Sequence, residues 1–334
     1  DLLAGLKNRP IKGTVDLHVQ NLGLIGALTN QTILPSGTLQ AHWSLSGTPL
    51  APSLIGQMDL ADGKVEIPAL GITLAPLRLT MQGDNRSVHL AASATSGSGT
   101  VQVASTLNLA HGAQQTVQCH LTGENFQAVH LPGLAVNVSP DVNLIASPKH
   151  LELHGRIHVP QATITSVDFD VATPTSNDVV FIDEEMAPAT GPQLPISLAL
   201  HISTGEAVRI NAYGLRGQIT GELDIAGHTG RPTTGNGTLT IRDGTYSLYG
   251  NRLNIGSGRL LFTGGPLTNP GVELLSEEKT ERATAGMRVD GFLQRPEITF
   301  FSTPAMEQSA ILRHLLQTTA FAGERRTELG MLGT

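Results

Sequence analysis

"GQMDLADGKVEI", Gly56 to Ile67, and "GTLTIRDGTYSL", Gly237 to Leu248, carry one pattern. Each opens on Gly, places Asp-Gly six residues later and sets apolar residues at every second position. Period two is the signature of a strand with one dry face. Asp-Gly favours a two-residue type I′ turn, because both central residues of that turn need positive φ. The two stretches therefore predict hairpins turning at Asp62-Gly63 and Asp243-Gly244. In the first, Leu60 opposes Val65 and Met58 opposes Ile67. In the second, Ile241 opposes Tyr246, Leu239 opposes Leu248, and Thr240 faces Ser247 on the wet side. A slip of one residue would ruin both pairings. Asp59 opposite Glu66 is the one unfavourable pair.

The repeat extends further. Arg78 follows Gly63 by the same interval that separates Arg259 from Gly244, which aligns "ITLAPLRL" with "LNIGSGRL". A weaker copy stands at "GRIHVPQATI", with Pro160-Gln161 in place of Asp-Gly. Repetition of one supersecondary unit suggests an array that stacks and extends.

Alternation continues along the chain. It puts Val15, Leu17 and Val19 on one face, and likewise Leu39, Ala41, Trp43 and Leu45. Leu77, Leu79 and Met81 follow the same rule, as do Val101 and Val103, and Val117, Cys119 and Leu121. Later come Leu198, Leu200 and Ile202, Leu223 and Ile225, and Ile298 and Phe300. Roughly twenty strands of ordinary length are expected, mostly antiparallel. One stretch reads as a helix, "STPAMEQSAILRHLLQ", with Ser302 or Thr303 as N-cap and Pro304 in the first turn. Its stripe of Met306, Ala310, Ile311, Leu315 and Leu316 should pack on the end of the sheet. "ATPTSNDVVFIDEEMAPATGPQLP" (Ala172 to Pro195) is Pro-rich and acidic and reads as a long loop.

Composition agrees with a mainly β chain. Of 334 residues only 15% are charged and 4% aromatic, 40% are hydrophobic, and Gly (37) and Pro (19) are plentiful. The net charge of −7, with no basic run, argues against a nucleic-acid partner. The single cysteine, Cys119, rules out an internal disulfide and reads as a quiet thiol on a strand's apolar side. No stretch approaches the roughly 18 apolar residues of a membrane helix. With no initiator Met and no signal pattern at "DLLAGLKNRP", the chain reads as a piece of a longer protein whose anchor lies outside it.

Chemistry is sparse. His150, His154 and His158 are four apart, but "LELHGRIHVP" alternates, so they lie spread along a strand rather than gathered on a helix. "SGSG" (Ser96 to Gly99) is a turn with no helix after it, hence no phosphate cradle. HExxH, Walker A and GxSxG are absent. No catalytic residue, metal ligand or cofactor is expected, and the sequence predicts a non-enzymatic protein.

A dry sheet face must be buried against something. With little helix to cover it, it can fold on itself, pack on a second sheet or bury a ligand. Low aromatic content argues against an outer-membrane barrel. Small and medium aliphatics make a smooth wall that suits acyl chains.

The C-terminal half resembles a known family. "YGNRLNIGSGRLLFTGGPLTNPGVEL" (Tyr249 to Leu274) is the most specific stretch. "GEAVRINAYGLRGQITGELDI" (Gly205 to Ile225), "AGMRVDGFLQRPEITFFSTP" (Ala285 to Pro304), "AILRHLL" (Ala310 to Leu316) and the loop "SNDVVFIDEE" (Ser176 to Glu185) accompany it. Their order and spacing are similar to the C-terminal domain of TamB-type proteins, which belong with AsmA-like, bridge-type lipid-transfer proteins. The resemblance implies a long antiparallel sheet curled into a hydrophobic trough, with one short helix near the C-terminus. Residues 1–171 and 196–301 would form the two parts of the trough, 172–195 the loop, 302–317 the helix and 318–334 a tail. It further implies a periplasmic protein anchored to the inner membrane outside this chain. Such a protein would pass phospholipid toward the outer membrane. It would work with an Omp85-type barrel, TamA, docked through a region C-terminal to this chain. On that view Gly264, Gly265, Pro266, Asn269 and Pro270 shape a tight turn. The groove would be lined by the residues that alternation turns inward: Met58, Leu60, Val65, Ile67, Leu77, Leu79, Leu223, Ile225, Leu239, Ile241, Leu248, Leu253, Ile255, Leu260, Phe262, Met287 and Val289. Two other readings share the strand pattern: a scaffold that pairs its sheet edges with client strands, and a closed structural β-solenoid.

Overall fold

The computed structural model describes residues 9–22, 36–49, 51–109, 115–165, 195–212, 214–248, 251–279 and 283–311. Its eighteen strands belong to one sheet. They fall into two compact units, the described residues of Asp1–Ile157, Ser166–Leu200 and Gly227–Arg231 in one, and those of His158–Thr165, His201–Ala226 and Pro232–Thr334 in the other.

The first unit is an antiparallel meander. It comprises β1 (Gly13–Val19), β2 (Ser36–Thr48), β3 (Ala51–Ile67), β4 (Ile72–Asn85), β5 (Ser87–Ser96), β6 (Gly99–Asn108), β7 (Thr116–Glu124), β8 (Phe126–Leu131) and β9 (Leu134–Ser147). Each strand from β1 to β7 pairs with the next, and β9 pairs with β7 over one half and β8 over the other. β10 (His150–Thr165) and β11 (Ile196–Ala212) follow. The second unit continues with β12 (Leu215–His228), β13 (Thr234–Leu248), β14 (Asn251–Ile255), β15 (Ser257–Pro266), β16 (Gly271–Lys279), β17 (Thr284–Phe292) and β18 (Arg295–Thr303). All its resolved registers are antiparallel as well.

The two Asp-Gly sequences are not hairpin turns. β3 runs unbroken through Asp62-Gly63 and β13 through Asp243-Gly244. Each pair is instead a β-bulge. Asp62 and Asp243 take φ of 51° and 49°, a left-handed conformation that Asp tolerates. Against the preceding strand, Ala61 to Lys64 spans only Thr38 to Ser36, and Arg242 to Thr245 spans only Gln218 to Arg216. One extra residue on the bulged strand flips the parity of everything after it. Met58 and Leu60 face inward before the bulge, Ala61 and Asp62 both face out, and Gly63, Val65 and Ile67 resume the inward side. Apolar residues that a hairpin would have placed together thus share a face for a different reason. Thr240 pairs with Thr220 and Arg259, not with Ser247, and Asp59 with Gln40 and Thr80, not with Glu66.

The leading glycines of the two stretches have a matching role. Gly56 and Gly237 adopt φ of 153° and 146°. A Cβ there would stand 2.1 Å from the His42 carbonyl oxygen and 2.3 Å from that of Glu222. Only glycine fits both the backbone and the space.

Other expectations are adjusted. The helical turn starts at 308, later than a Ser302 or Thr303 cap would place it, and residues 312–317 and the tail lie outside the described residues. Ser302 Oγ accepts a 2.8 Å hydrogen bond from the Met306 amide at the exit of β18. The expected loop, but for Pro195, also lies outside the described residues. Val15 and Leu17 on β1 are 58% and 43% exposed and Ile298 on β18 is 57% exposed, so these alternating positions are not dry. The tight turn near Pro266 closes by an Asn269 amide bond to the Pro266 carbonyl, 3.1 Å. Asn269 Oδ1 also accepts from the Gln294 amide, tying this turn to the β17–β18 turn.

Prediction: Asp62→Val or Asp243→Val lowers the unfolding free energy by about 1–3 kcal/mol, because a β-branched residue resists positive φ. The Asn variants stay near wild type, and Gly237→Ala exceeds either Val variant because strain and the Glu222 carbonyl add. Urea unfolding midpoints measure all of these; midpoints unmoved by both Val variants would contradict the bulge assignment.

Candidate functional site

Cross-strand partners share a face, so the registers assemble the dry face directly. In the first unit one row runs Val19, Leu39, Leu60, Leu79, Ala92, Val103, Leu121 and Val142, crossing from β1 to β7 and then β9. A second row, one step along the strands, runs Leu17, Ala41, Met58, Met81, Leu90, Ser105, Cys119 and Leu144. In the third row Gly56 and Gly83 leave a gap beside Trp43, and the indole ring lies 2.6 Å from where a Gly83 Cβ would stand. The tryptophan fills the space that a Gly83 side chain would need, a fit that alternation alone does not reveal. Past the bulge, Gly63 meets Leu77, Val65 meets Leu74, and Ile67 meets Ile72.

Met58, Leu60, Val65, Ile67, Leu77 and Leu79 are neither buried nor exposed. A large aliphatic in that state keeps part of its surface uncovered by protein. β8 covers one border of the face. The chain bends at Asn125 (φ 47°), and β8 then passes over the ends of β4, β5 and β6. There the His130 amide donates to the Leu70 carbonyl at 2.8 Å, and Ser96 Oγ donates to the Gln127 carbonyl at 2.8 Å. Ile72, Ala94 and Ser96 are buried at that border.

In the second unit one row runs Gly221, Leu239, Leu260 and Val272, and another Ile219, Ile241, Gly258, Leu274, Val289 and Ile298. Leu223 lies beside Gly237 and Phe262, Ile225 beside Gly235, and Ile255 beside Gly244. Leu223, Leu253, Ile255, Phe262 and Met287 are buried, whereas Ile225, Leu239, Ile241, Leu260 and Val289 are half-buried. The Leu248 side chain lies outside the described ones. Leu253, Ala285, Met287 and Ile311 form a core that Tyr246, Leu274, Val289, Phe300 and Met306 surround. Ile311 comes from the helical turn, so the chain itself covers the dry face there.

The opposite face is polar and laced by histidine–carboxylate pairs. His42 pairs with Asp16 and His201 with Asp224, the latter at 2.8 Å. Asp141 accepts from His120 Nε2 at 2.9 Å and from the Arg156 guanidinium at 2.9 Å. Hydrogen bonds from His120, then Arg156, hold the Asp141 carboxyl below its ordinary range, and the Ser87 hydroxyl does the same for Asp84. Two shallow depressions of about 470 and 420 Å³ share Ala104 and His120 on this face. Ser87, His89 and Asp84 do not form a relay: His89 Nε2 faces both Ser87 and Asp84, whereas a base-orienting carboxylate takes the opposite ring nitrogen. His154 Nδ1 is enclosed 3.8 Å from Glu152, and His158 bonds Ser203 at 3.0 Å, so the two histidines are separately engaged. Among the described residues no three His, Cys, Asp or Glu side chains gather to hold a metal.

Asp84 and Asp141 have folded pKa values lowered from 3.8, so each contributes stability that is present above that value and lost as pH falls below it. Prediction: the thermal midpoint of the wild type falls on acidification below pH about 4, and Asp141→Asn, which has no proton to take up, shows a shallower fall. Identical pH profiles would contradict the pairing of Asp141 with His120 and Arg156.

A family model described as "TamB C-terminal domain" matches residues 89–333. The "Translocation and assembly module subunit TamB" of Haemophilus influenzae is 27% identical over 351 aligned residues. That alignment covers 98% of this chain and 26% of the relative, so the chain spans about a quarter of that protein's length.

Proposed function

The chain belongs to the TamB C-terminal domain family, and on that premise we propose that it conducts phospholipid acyl chains along the dry face of its sheet. The observation that carries this reading is the first-unit row from Val19 to Val142. It sets aliphatic side chains side by side across eight strands and leaves Leu60, Leu79, Val103 and Leu121 partly uncovered. At about 4.8 Å per strand the row has a contour near 34 Å. That is longer than one leaflet's acyl chains, which fill half of a core about 30 Å thick.

Transfer along such a wall is passive. Each methylene leaving water gains roughly 0.8 kcal/mol wherever on the wall it lies. A chain sliding from one row to the next exchanges like contacts for like, while its head group stays at the wet border. Movement follows the lipid gradient, and no catalytic group takes part.

The whole protein, in this reading, is anchored in the inner membrane and carries this domain in the periplasm. It passes lipid toward the outer membrane beside a TamA-type barrel and serves outer-membrane protein assembly. The relative's own name, a translocation and assembly module subunit, supports the association. Among the described residues no helix is long and apolar enough to cross a membrane.

The test is native mass spectrometry with lipid extraction after purification in mild detergent and its removal. Wild type retains phospholipid. Leu60→Glu and Leu239→Glu lose it, because a carboxylate on the wall costs several kcal/mol to desolvate. Ala104→Glu on the polar face retains it. A folded, lipid-free wild type, or equal lipid in all four proteins, contradicts the proposal.

A further inference from the structure

The second unit's core is built from two sources. Leu253, Ala285 and Met287 are sheet residues on the dry face, at 3%, 0% and 3% exposure. Their cover comes from the segment after β18, which lays Met306 and Ile311 onto them, Ile311 being 4% exposed. Of the segment's other residues, Pro304, Ala305, Glu307, Gln308 and Ser309 are exposed and Ala310 is half-buried. Three of its amides bond locally, Met306 to Ser302 Oγ and Ala310 and Ile311 to the Glu307 carbonyl. Two apolar side chains, the unbranched Met306 and the β-branched Ile311, thus occupy a stretch of wall whose neighbours Tyr246, Leu274, Val289 and Phe300 remain half-buried.

We propose that this patch is an alkyl-chain site occupied by the protein's own Met306 and Ile311, which act as a displaceable stopper. The inference rests on the acyl-conducting reading above and adds a place where conduction is gated. Both side chains meet the wall through apolar dispersion contacts alone, so an incoming alkyl chain replaces them without changing the chemistry of the wall. Exchange requires no loss of sheet pairing, because no strand hydrogen bond between β13 and β18 passes through the segment. A stopper that must leave lowers apparent lipid affinity by the fraction of time the site is open. The stopper therefore keeps this patch closed until lipid competes for it.

The experiment uses the purified chain and phosphatidylcholine vesicles carrying phosphatidylcholine labelled with NBD on an acyl chain. The double variant M306A/I311A opens the patch, and at subsaturating lipid it binds roughly three- to tenfold more probe than wild type. In parallel, deuterium exchange is followed on the wild type with and without vesicles. Residues 304–311 exchange faster when lipid is present, while β14 and β17 keep their protection. A folded double variant with unchanged or reduced probe binding, alongside loss of binding in Leu239→Glu, overturns the stopper and leaves the conduit standing. No probe binding by any of the proteins overturns both. Should the double variant unfold, the wild-type exchange decides: unchanged exchange at 304–311 with vesicles present shows a permanent core element and overturns the proposal.

Discussion

Everything in this sheet depends on phase: apolar side chains must stay on one side along strands of up to 17 residues and across their neighbours. A slip of one residue sends every aliphatic to the polar face. A bulge bends its strand and raises the local twist. The Asp-Gly bulges do so at matched places in β3 and β13, and each inserts one residue where the hydrophobic pattern changes parity. Gly37 and Gly217 lie opposite the bulges, where a Cβ would stand 2.8 Å from the Gly63 Cα and 2.7 Å from Ile241. The repeated motif is thus a device for keeping one face dry past a bend.

The same phase rule explains what could be read from the sequence. Alternation identified which side chains share a face, because that information is local. It could not distinguish a turn from a bulge at Asp62-Gly63. Both geometries put Leu60 and Val65 on the same side, and both favour an Asp-Gly pair with positive φ. The difference lies in the partners, since Leu60 meets Leu39 and Leu79 rather than Val65. Those contacts are long-range, and no window around the bulge contains them. For the same reason the sequence did not show Trp43 filling the space at Gly83, β8 crossing the ends of β4 to β6, or Val15 lying open on the first strand. The 181-residue offset (259 against 78) between copies was the one non-local signal available in a single chain.

The two faces follow different chemistry. The dry face gains from area and is indifferent to detail, so small and medium aliphatics suffice and few aromatics are needed. The polar face is held by directional pairs such as His201 with Asp224 and Asp141 between His120 and Arg156. Being exposed, those pairs add little stability each. Among the described residues, what covers the dry face is sparse and comes from the chain itself: β8 at one border of the first unit, and Met306 with Ile311 in the second. Sparse cover leaves large aliphatics half-wet, a state that a bound alkyl chain relieves.

The most direct test of this account is to ask which face touches lipid. Methyl-labelled protein with phosphatidylcholine carrying a doxyl spin label in its acyl chain would report contact residue by residue. The account requires broadening at Leu60, Leu79, Val103 and Leu121, with Ala91 and Ala104 on the polar face spared. Equal broadening on both faces, or broadening confined to Ala91 and Ala104, would contradict it.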